Sequence, residues 1–433
     1  MKICIIGAGA TGLTTGYELS KTGHDITILE NEASLGGLVK TVKIGEENIE
    51  AFYHHIFTND THIIELIDEL GLSSQLIWIE PKNGIYINGK HYPFTSPLDL
   101  LMFKELSFIE RIRMGLLVFQ AKFVKDWRDL EHESAKEWII KNAGKNVYDK
   151  VWGPLINSKY DFDSDRISAA WIWNKFKLRG STRGKNISKE LLGYMKGSFA
   201  VLYEKLADKI VENGGRIVYR SPVTKIFQKA DKTFEVCYGS NTESFDCVIV
   251  TTAPEILSNM DFALPKAYKK QLDSIKYKAN ICMIIELTEK LSSFYWTTIA
   301  DENCPFVLLM EHTNLVPVNG YNSHVVYLSR YLDEKNEMFG FSDEKIRSIF
   351  IEHLKVLYPG FNETMIKNTH INRAKYAQPV VFQEYSKILP LIKTPVDNLY
   401  LASMAQIYPE DRGQSYSIRL GKQTAELVNN DYK

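Results

Sequence analysis

Two stretches near the start of the 433-residue chain carry side chains and spacings that can do chemistry. The first is Gly7-Ala8-Gly9-Ala10-Thr11-Gly12, a GxGxxG that follows the apolar run 3–6. In such a motif Gly7 permits a tight strand-to-helix turn, Gly9 lets the backbone approach a pyrophosphate, and Gly12 lets the helix pack closely on its sheet. Glu30, 18 residues beyond Gly12, stands where a carboxylate accepts hydrogen bonds from ribose hydroxyls. The second stretch is Tyr53-His54-His55-Ile56-Phe57-Thr58-Asn59-Asp60, whose adjacent histidines can serve as acid/base groups or as hydrogen-bond donors. Side chains alternate along a strand, so extended backbone here turns only one of the two toward a ligand. Three further clusters are candidates to roof the same site: Glu311-His312-Thr313-Asn314, then Arg373 with Tyr376-Ala377-Gln378-Pro379, then Glu410-Asp411-Arg412. His312 and Asn314 end an apolar run, where loops often carry function, and Arg412 can hold a phosphate or carboxylate. Capping, surface ion pairing and a packed core histidine are the competing readings of these residues.

The elements around the motif must position it. Residues 3–6 predict a buried strand, 10 to about 21 a helix that buries Leu13 and Tyr17 and is capped by Gly23, and 25–29 a second strand ending at Glu30. A lone GxGxxG is a weak signal, whereas strand, glycines, helix, strand and acid in this order predict dinucleotide binding. Composition agrees with a soluble globular protein, at 45% apolar and 24% charged residues. The 52 Lys and Arg balance 53 Asp and Glu, so no nucleic-acid partner is expected and a small-molecule substrate is. Five scattered cysteines without CxxC spacing predict neither a disulfide framework nor a metal site, and point to a cytoplasmic location. No stretch reaches the ~18 uncharged apolar residues of a membrane-spanning helix. Residues 98–124 interleave Lys104, Arg111, Arg113, Lys122 and Lys125 with Leu116, Leu117, Phe119 and Phe123. Such a segment is either a core helix with a basic outer face or a helix for peripheral membrane contact. Trp127, Trp138, Trp152, Trp171 and Trp173 are expected in the core of a helical region.

A second glycine turn, Leu35-Gly36-Gly37-Leu38-Val39-Lys40-Thr41, follows the ribose acid and resembles that of the two-dinucleotide-binding flavoproteins. Further matches are Gly193-Tyr194-Met195-Lys196-Gly197-Ser198-Phe199, Ser221-Pro222-Val223-Thr224-Lys225-Ile226, a strand 245–250 ending at Thr251-Thr252-Ala253-Pro254, and a strand 398–403 with a helix from about 415 to 428. The whole chain resembles the protoporphyrinogen oxidase, phytoene desaturase and amine oxidase group of FAD enzymes. The resemblance implies an α/β fold: a Rossmann-like, GR2-type FAD-binding domain from 1–80, 193–260 and 385–433. An inserted α+β substrate domain would comprise 81–192, mostly helical, and 261–384, rich in strands. It implies FAD contacts at Gly7, Gly9, Ala10, Thr11, Gly12, Glu30, Gly36, Gly37, Leu38, Val223, Thr252, Gly413, Ser415 and Ser417, with His54, His55, His312, Asn314 and Arg412 left for catalysis. The last helix would direct its N-terminal N–H groups at the flavin O2 side. Ser403-Met404-Ala405 replaces the glycine and acid common in the family. The segment 55–60 also resembles the PHIFHT motif of UDP-galactopyranose mutases without its second histidine, and the arginine- and tyrosine-rich C-terminal flavin motif of those enzymes is not evident. The expected function is therefore an FAD-dependent oxidoreductase acting on a sugar, a nucleotide- or lipid-linked sugar or a carboxylate-bearing ring. A sugar mutase that uses reduced FAD without net redox is the alternative. No second GxGxxG follows a strand, so no NAD(P)H domain is expected.

Overall fold

The computed structural model describes residues 1–181, 190–301, 303–317 and 320–432. Its parallel sheet runs in the order Arg216–Val218, Asp25–Leu29, Lys2–Ile6, Cys247–Val250, Leu399–Leu401. The inner strands are buried on both faces, which is why they read as continuous apolar runs instead of alternating ones. The chain leaves Lys2–Ile6 toward Asp25–Leu29 on one side, while Cys247–Val250 lies on the other, so the carboxyl end of the first strand is a topological switch point.

Helix Ala10–Ser20 packs against the last helix, Gln414–Asp431. A Cβ on Gly421 would lie 2.8 Å from the Thr11 carbonyl oxygen, so this glycine allows the backbones to touch. The hydroxyl of Thr15 donates to the Gly421 carbonyl, and farther on His24 Nε2 meets Asn429 Oδ1, so the two helices run in the same direction. The last helix begins seven residues before Gly421 and the first one residue before Thr11, so the N-terminus of the last helix lies six residues, or ~9 Å along the axis, beyond that of the first.

A seven-stranded sheet covers the other side of the site, in the order Ile366–Pro379, Tyr277–Leu287, His324–Leu332, Leu308–Glu311, Trp296–Ile299, Asn83–Ile87, Lys90–Pro93. It is antiparallel except where Trp296–Ile299 meets Asn83–Ile87. The helical region that follows Lys90–Pro93 includes Ala135–Ala143, Gly153–Tyr160 and Ala169–Ser181, packed around the buried Trp138, Trp152, Trp171 and Trp173.

Three local expectations are corrected. The amphipathic stretch 98–124 is not one helix but two, Pro97–Met102 and Phe108–Gln120. Ser107 accepts the Glu110 N–H while Glu110 accepts the Ser107 N–H, a capping box that starts the second helix afresh. The expected strand 245–250 is divided at Asp246, whose carboxylate accepts the Lys2 N–H at 2.7 Å. Asn241–Phe245 accordingly joins a small antiparallel sheet with Val223–Gln228 and Phe234–Tyr238, and only Cys247–Val250 joins the parallel one. His54 and His55 lie in irregular backbone between Glu47–Glu50 and Ile56–Phe57 and not in a strand.

Candidate functional site

At the carboxyl edge of the parallel sheet the two glycine turns touch. Gly36 N–H donates to the Ala8 carbonyl at 2.8 Å, and Gly9 and Gly36 form a parallel bridge. Gly7, Gly36 and Gly37 have φ of 106°, 113° and 58°, a region that other L-residues avoid. Gly12 is required for a different reason: a Cβ there would lie 2.0 Å from the Gly7 carbonyl oxygen. Gly9 is the opposite case, since its Cβ would meet nothing nearer than the Gly36 carbonyl oxygen at 4.0 Å. The space beside Gly9, at the start of helix Ala10–Ser20, is where a diphosphate fits, since first-turn N–H groups there have no intrahelical partner.

Glu30 is buried directly after the second strand, and its carboxylate accepts the Ala8 and Glu32 N–H groups, each at 2.8 Å. Those bonds orient it and leave further lone pairs for ribose hydroxyls. Ser221 N–H donates to the Glu30 carbonyl, which brings Val223 to the same end of the slot. Thr252 lies against Gly7, and its buried hydroxyl has no partner among the described residues. Gln414 opens the last helix with its side-chain oxygen bonded by the Tyr203 hydroxyl and its Nε2 buried without a partner among the described residues. Ser415 accepts the Ile63 N–H at 3.4 Å, and Ser417 N–H bonds the Gly413 carbonyl. Leu38 lies half-buried in the short helical turn Gly37–Val39, and Ala10 and Thr11 form the first turn of the first helix. A glycine cradle, orphaned polar atoms and two parallel helix starts ~9 Å apart fit an extended dinucleotide with a ring system at its far end.

At that far end a polar cluster forms from segments distant in sequence. Asp411 Oδ2 accepts from both Lys159 and Lys175, each at 2.6 Å, and Asp411 Oδ1 accepts from Trp171 Nε1 at 3.2 Å. Arg412 donates Nε–H to Gln378 Oε1 at 3.0 Å and Nη2–H to the Tyr331 hydroxyl at 2.7 Å. The Tyr331 hydroxyl also meets that of Tyr53 at 3.3 Å. Burial, with repulsion from Lys175 and Arg412, pushes Lys159 down to about 7 despite its bond to Asp411. Burial alone would raise Asp411, but the charges of Lys159, Lys175 and Arg412 outweigh it and hold the carboxyl well below its usual range.

The histidines diverge. His54 Nδ1 lies 2.6 Å from the Phe52 carbonyl, which can only accept, so Nδ1 carries the proton and Nε2 is left as an acceptor. Burial and then the Arg412 charge push His54 down to about 4, so it is neutral near pH 7. His55 turns the other way, with Nδ1 at 2.9 Å from the Tyr295 hydroxyl and its ring edge-on to Phe57, Tyr295 and Trp296. His312 is buried among Tyr194, Tyr321 and Tyr327, bonded to the Tyr321 hydroxyl at 3.2 Å and pushed down to about 3 by burial. Asn314 donates to the Ser292 and Phe294 carbonyls and thereby holds a loop. The structure thus brings His54 and Arg412 together and sets His312 behind a layer of tyrosines. Arg373, another candidate, pairs with Asp343 and donates to the Phe341 carbonyl. Lys159 and Lys175 have no distinguishing signal in the sequence, because each looks like an ordinary charge on a helix. Trp171 is a core residue, as expected, yet its indole N–H also serves the cluster.

Comparison with known proteins follows the same lines. The family model described as flavin containing amine oxidoreductase matches residues 10–427. Zeta-carotene desaturase of Arabidopsis thaliana is 25% identical over 51% of this chain and 43% of its own. Mitochondrial protoporphyrinogen oxidase of Nicotiana tabacum is 26% identical over 42% of this chain and 37% of its own. The matched region thus spans less than half the length of these two relatives. An oxidoreductase from Methanosarcina mazei shares the fold with a TM-score of 0.75 at 17% identity, covering 99% of this chain and 100% of that one. The chain belongs to the family of flavin-containing amine oxidoreductases, with FAD as its cofactor.

Proposed function

We propose that this protein is an FAD-dependent oxidoreductase that takes a hydride from a C–H bond of a polar organic substrate, including a C–H on a carbon bonded to nitrogen. The electrons then pass to oxygen, a quinone or another acceptor. Bound FAD supplies the two-electron acceptor, and the protein supplies position and polarity. The observation that carries the reading is the half-buried cluster of Lys159, Lys175, Asp411 and Arg412 immediately before the last helix, facing neutral His54. Arg412, fixed by Gln378 and Tyr331, orients a substrate oxygen. His54 Nε2 accepts a hydrogen bond, since a group pushed down to about 4 is a weak proton holder at neutral pH. A charged wall favours a nucleotide- or lipid-linked sugar, or a carboxylate-bearing ring, over a purely apolar chain. Anaerobic titration of the FAD-loaded protein with such compounds tests this. Stoichiometric bleaching of the flavin is expected; turnover only after dithionite reduction, with an unchanged spectrum, would replace the reading with a redox-neutral isomerase.

We also propose that the protein works at an anionic lipid surface through residues 98–124. Leu98, Leu101, Met102, Phe108, Ile109, Ile112, Leu116, Phe119 and Phe123 are 43–67% exposed there. Lys104, Arg113, Lys122 and Lys125 are exposed beside them with no ion-pair partner among the described residues. No described helix is long and apolar enough to cross a membrane, so such contact would be peripheral. Flotation with phosphatidylserine vesicles should carry the wild type, and a Phe119→Ser/Phe123→Ser variant should stay behind. A wild type that does not float would end this part of the proposal.

A further inference from the structure

We propose that Lys159, Lys175 and Arg412 form a subsite for an anionic oxygen group of the substrate, a phosphate or a carboxylate. The inference rests on the reading of this pocket as the substrate face of a flavoenzyme. Its first support is charge balance. Lys175, Arg412 and the protonated form of Lys159 converge on the single carboxylate of Asp411, and Asp163 is paired with the buried Lys278 at 2.7 Å. The side chains of Lys159 and Lys175 are only 21% and 25% exposed, so bulk water compensates the excess poorly.

The second support is a count of donors. An ammonium has three N–H donors. Lys175 directs one at Asp411, while Lys159 directs one at Asp411 and another at Gln378 Oε1. Both ammoniums also lie over the Trp171 ring, at 5.5 and 4.7 Å from its centroid, and each keeps at least one N–H with no hydrogen-bond acceptor among the described residues. Arg412 commits Nε and Nη2 and keeps Nη1. The third support is preorganisation. Helix Gly153–Tyr160, helix Ala169–Ser181 and the loop before the last helix each contribute one cation. Asp411 ties both lysines through one carboxylate oxygen, and Trp171 and Gln378 hold its other oxygen. An anion bridging the lysines would bind donors already assembled, without ordering long side chains on arrival. Burial, and after it the charges of Lys175 and Arg412, lowers Lys159, and an anion beside it would favour its charged form.

Inorganic pyrophosphate and succinate, titrated separately into the FAD-loaded protein at low ionic strength, distinguish the two sources of negative oxygen. Heat of binding and perturbation of the flavin absorbance are the readouts. Binding of either anion by the wild type is expected, weakened at least tenfold in Lys175→Gln and in Lys159→Gln. Lys175→Arg should bind within about threefold of wild type, and Lys177→Gln, on the outer side of the same helix, should be unchanged. If Lys159→Gln does not fold, the more exposed Lys175→Gln decides the matter. No wild-type binding of either anion, or equal binding by Lys175→Gln, overturns the subsite. Neither readout requires turnover, so anion binding without substrate bleaching would leave the subsite standing and remove the oxidoreductase reading, and the converse result would do the reverse.

Discussion

At the glycine edge the slot is shaped almost entirely by main chain. Gly7, Gly9, Gly12, Gly36 and Gly37 shape it by lacking side chains, and Glu30 is positioned by two backbone N–H groups. Around Asp411 the reverse holds: side chains from two helices, two strands and a loop meet across more than two hundred residues of sequence. Each construction fails in its own way. A main-chain slot is intolerant of added atoms and indifferent to charge, while a side-chain cluster tolerates changes of shape and responds to every change of charge.

Four sets of changes probe that contrast, the first three from the largest expected effect to the smallest. Gly12→Ala forces a Cβ to 2.0 Å from the Gly7 carbonyl oxygen, and this overpacking against backbone costs on the order of 3 kcal/mol or more. Soluble yield and FAD content should collapse together. Gly9→Ala is its control: the apo protein should melt near the wild-type temperature, yet retain FAD at least tenfold more weakly in an equilibrium dialysis measurement. Equal behaviour of the two variants would deny that Gly9 faces the ligand.

Asp411→Asn leaves Lys159, Lys175 and Arg412 without their shared counter-charge, an uncompensated cluster worth roughly 1–3 kcal/mol for half-buried groups. Thermal melts should show a loss of several degrees, partly recovered in Asp411→Asn/Lys175→Gln. If the second substitution adds to the damage, the cluster is held by packing and not by charge.

The adjacent histidines should separate cleanly. His54→Gln should lower turnover about tenfold or more with little change in melting temperature, because Nδ1 is held by the Phe52 carbonyl and Nε2 is the nitrogen left for a substrate. His55→Gln should instead cost about 1 kcal/mol of stability through the lost Tyr295 bond.

Glu50 gives the effect most specific to pH. Burial pushes it up to about 7, although the Tyr194 hydroxyl and Phe199 N–H both bond its carboxylate. The folded protein therefore holds a proton that the unfolded chain releases near 4.5, and this stability is lost as pH rises through about 7. Melting temperatures of Glu50→Gln and wild type should be close at about pH 4.5 and diverge in favour of the variant by about pH 8.

The two regions were legible to different degrees. Glycine spacing, the acid after the second strand and the order of elements sufficed to bring the two glycine turns and Glu30 to one edge of the sheet, because backbone geometry restricts which residues can stand there. The capping box at Ser107 was equally present in the sequence, but the apolar periodicity running past it suggested one continuous helix. His312 misled because it ends an apolar run beside polar neighbours, a pattern that a packed core histidine shares. Lys159 carried no local signal.

By itself, the sequence determined dinucleotide binding, the α/β class and the strands of the parallel sheet, since each rests on local rules of turn and strand, while FAD came with the family resemblance. Only the tertiary structure decided that His54 and not His55 looks toward Arg412, and that Lys159, Lys175 and Asp411 share one oxygen. Such groupings depend on where distant helices cross, and the charge of a lysine records nothing about what it will face once its helix is packed.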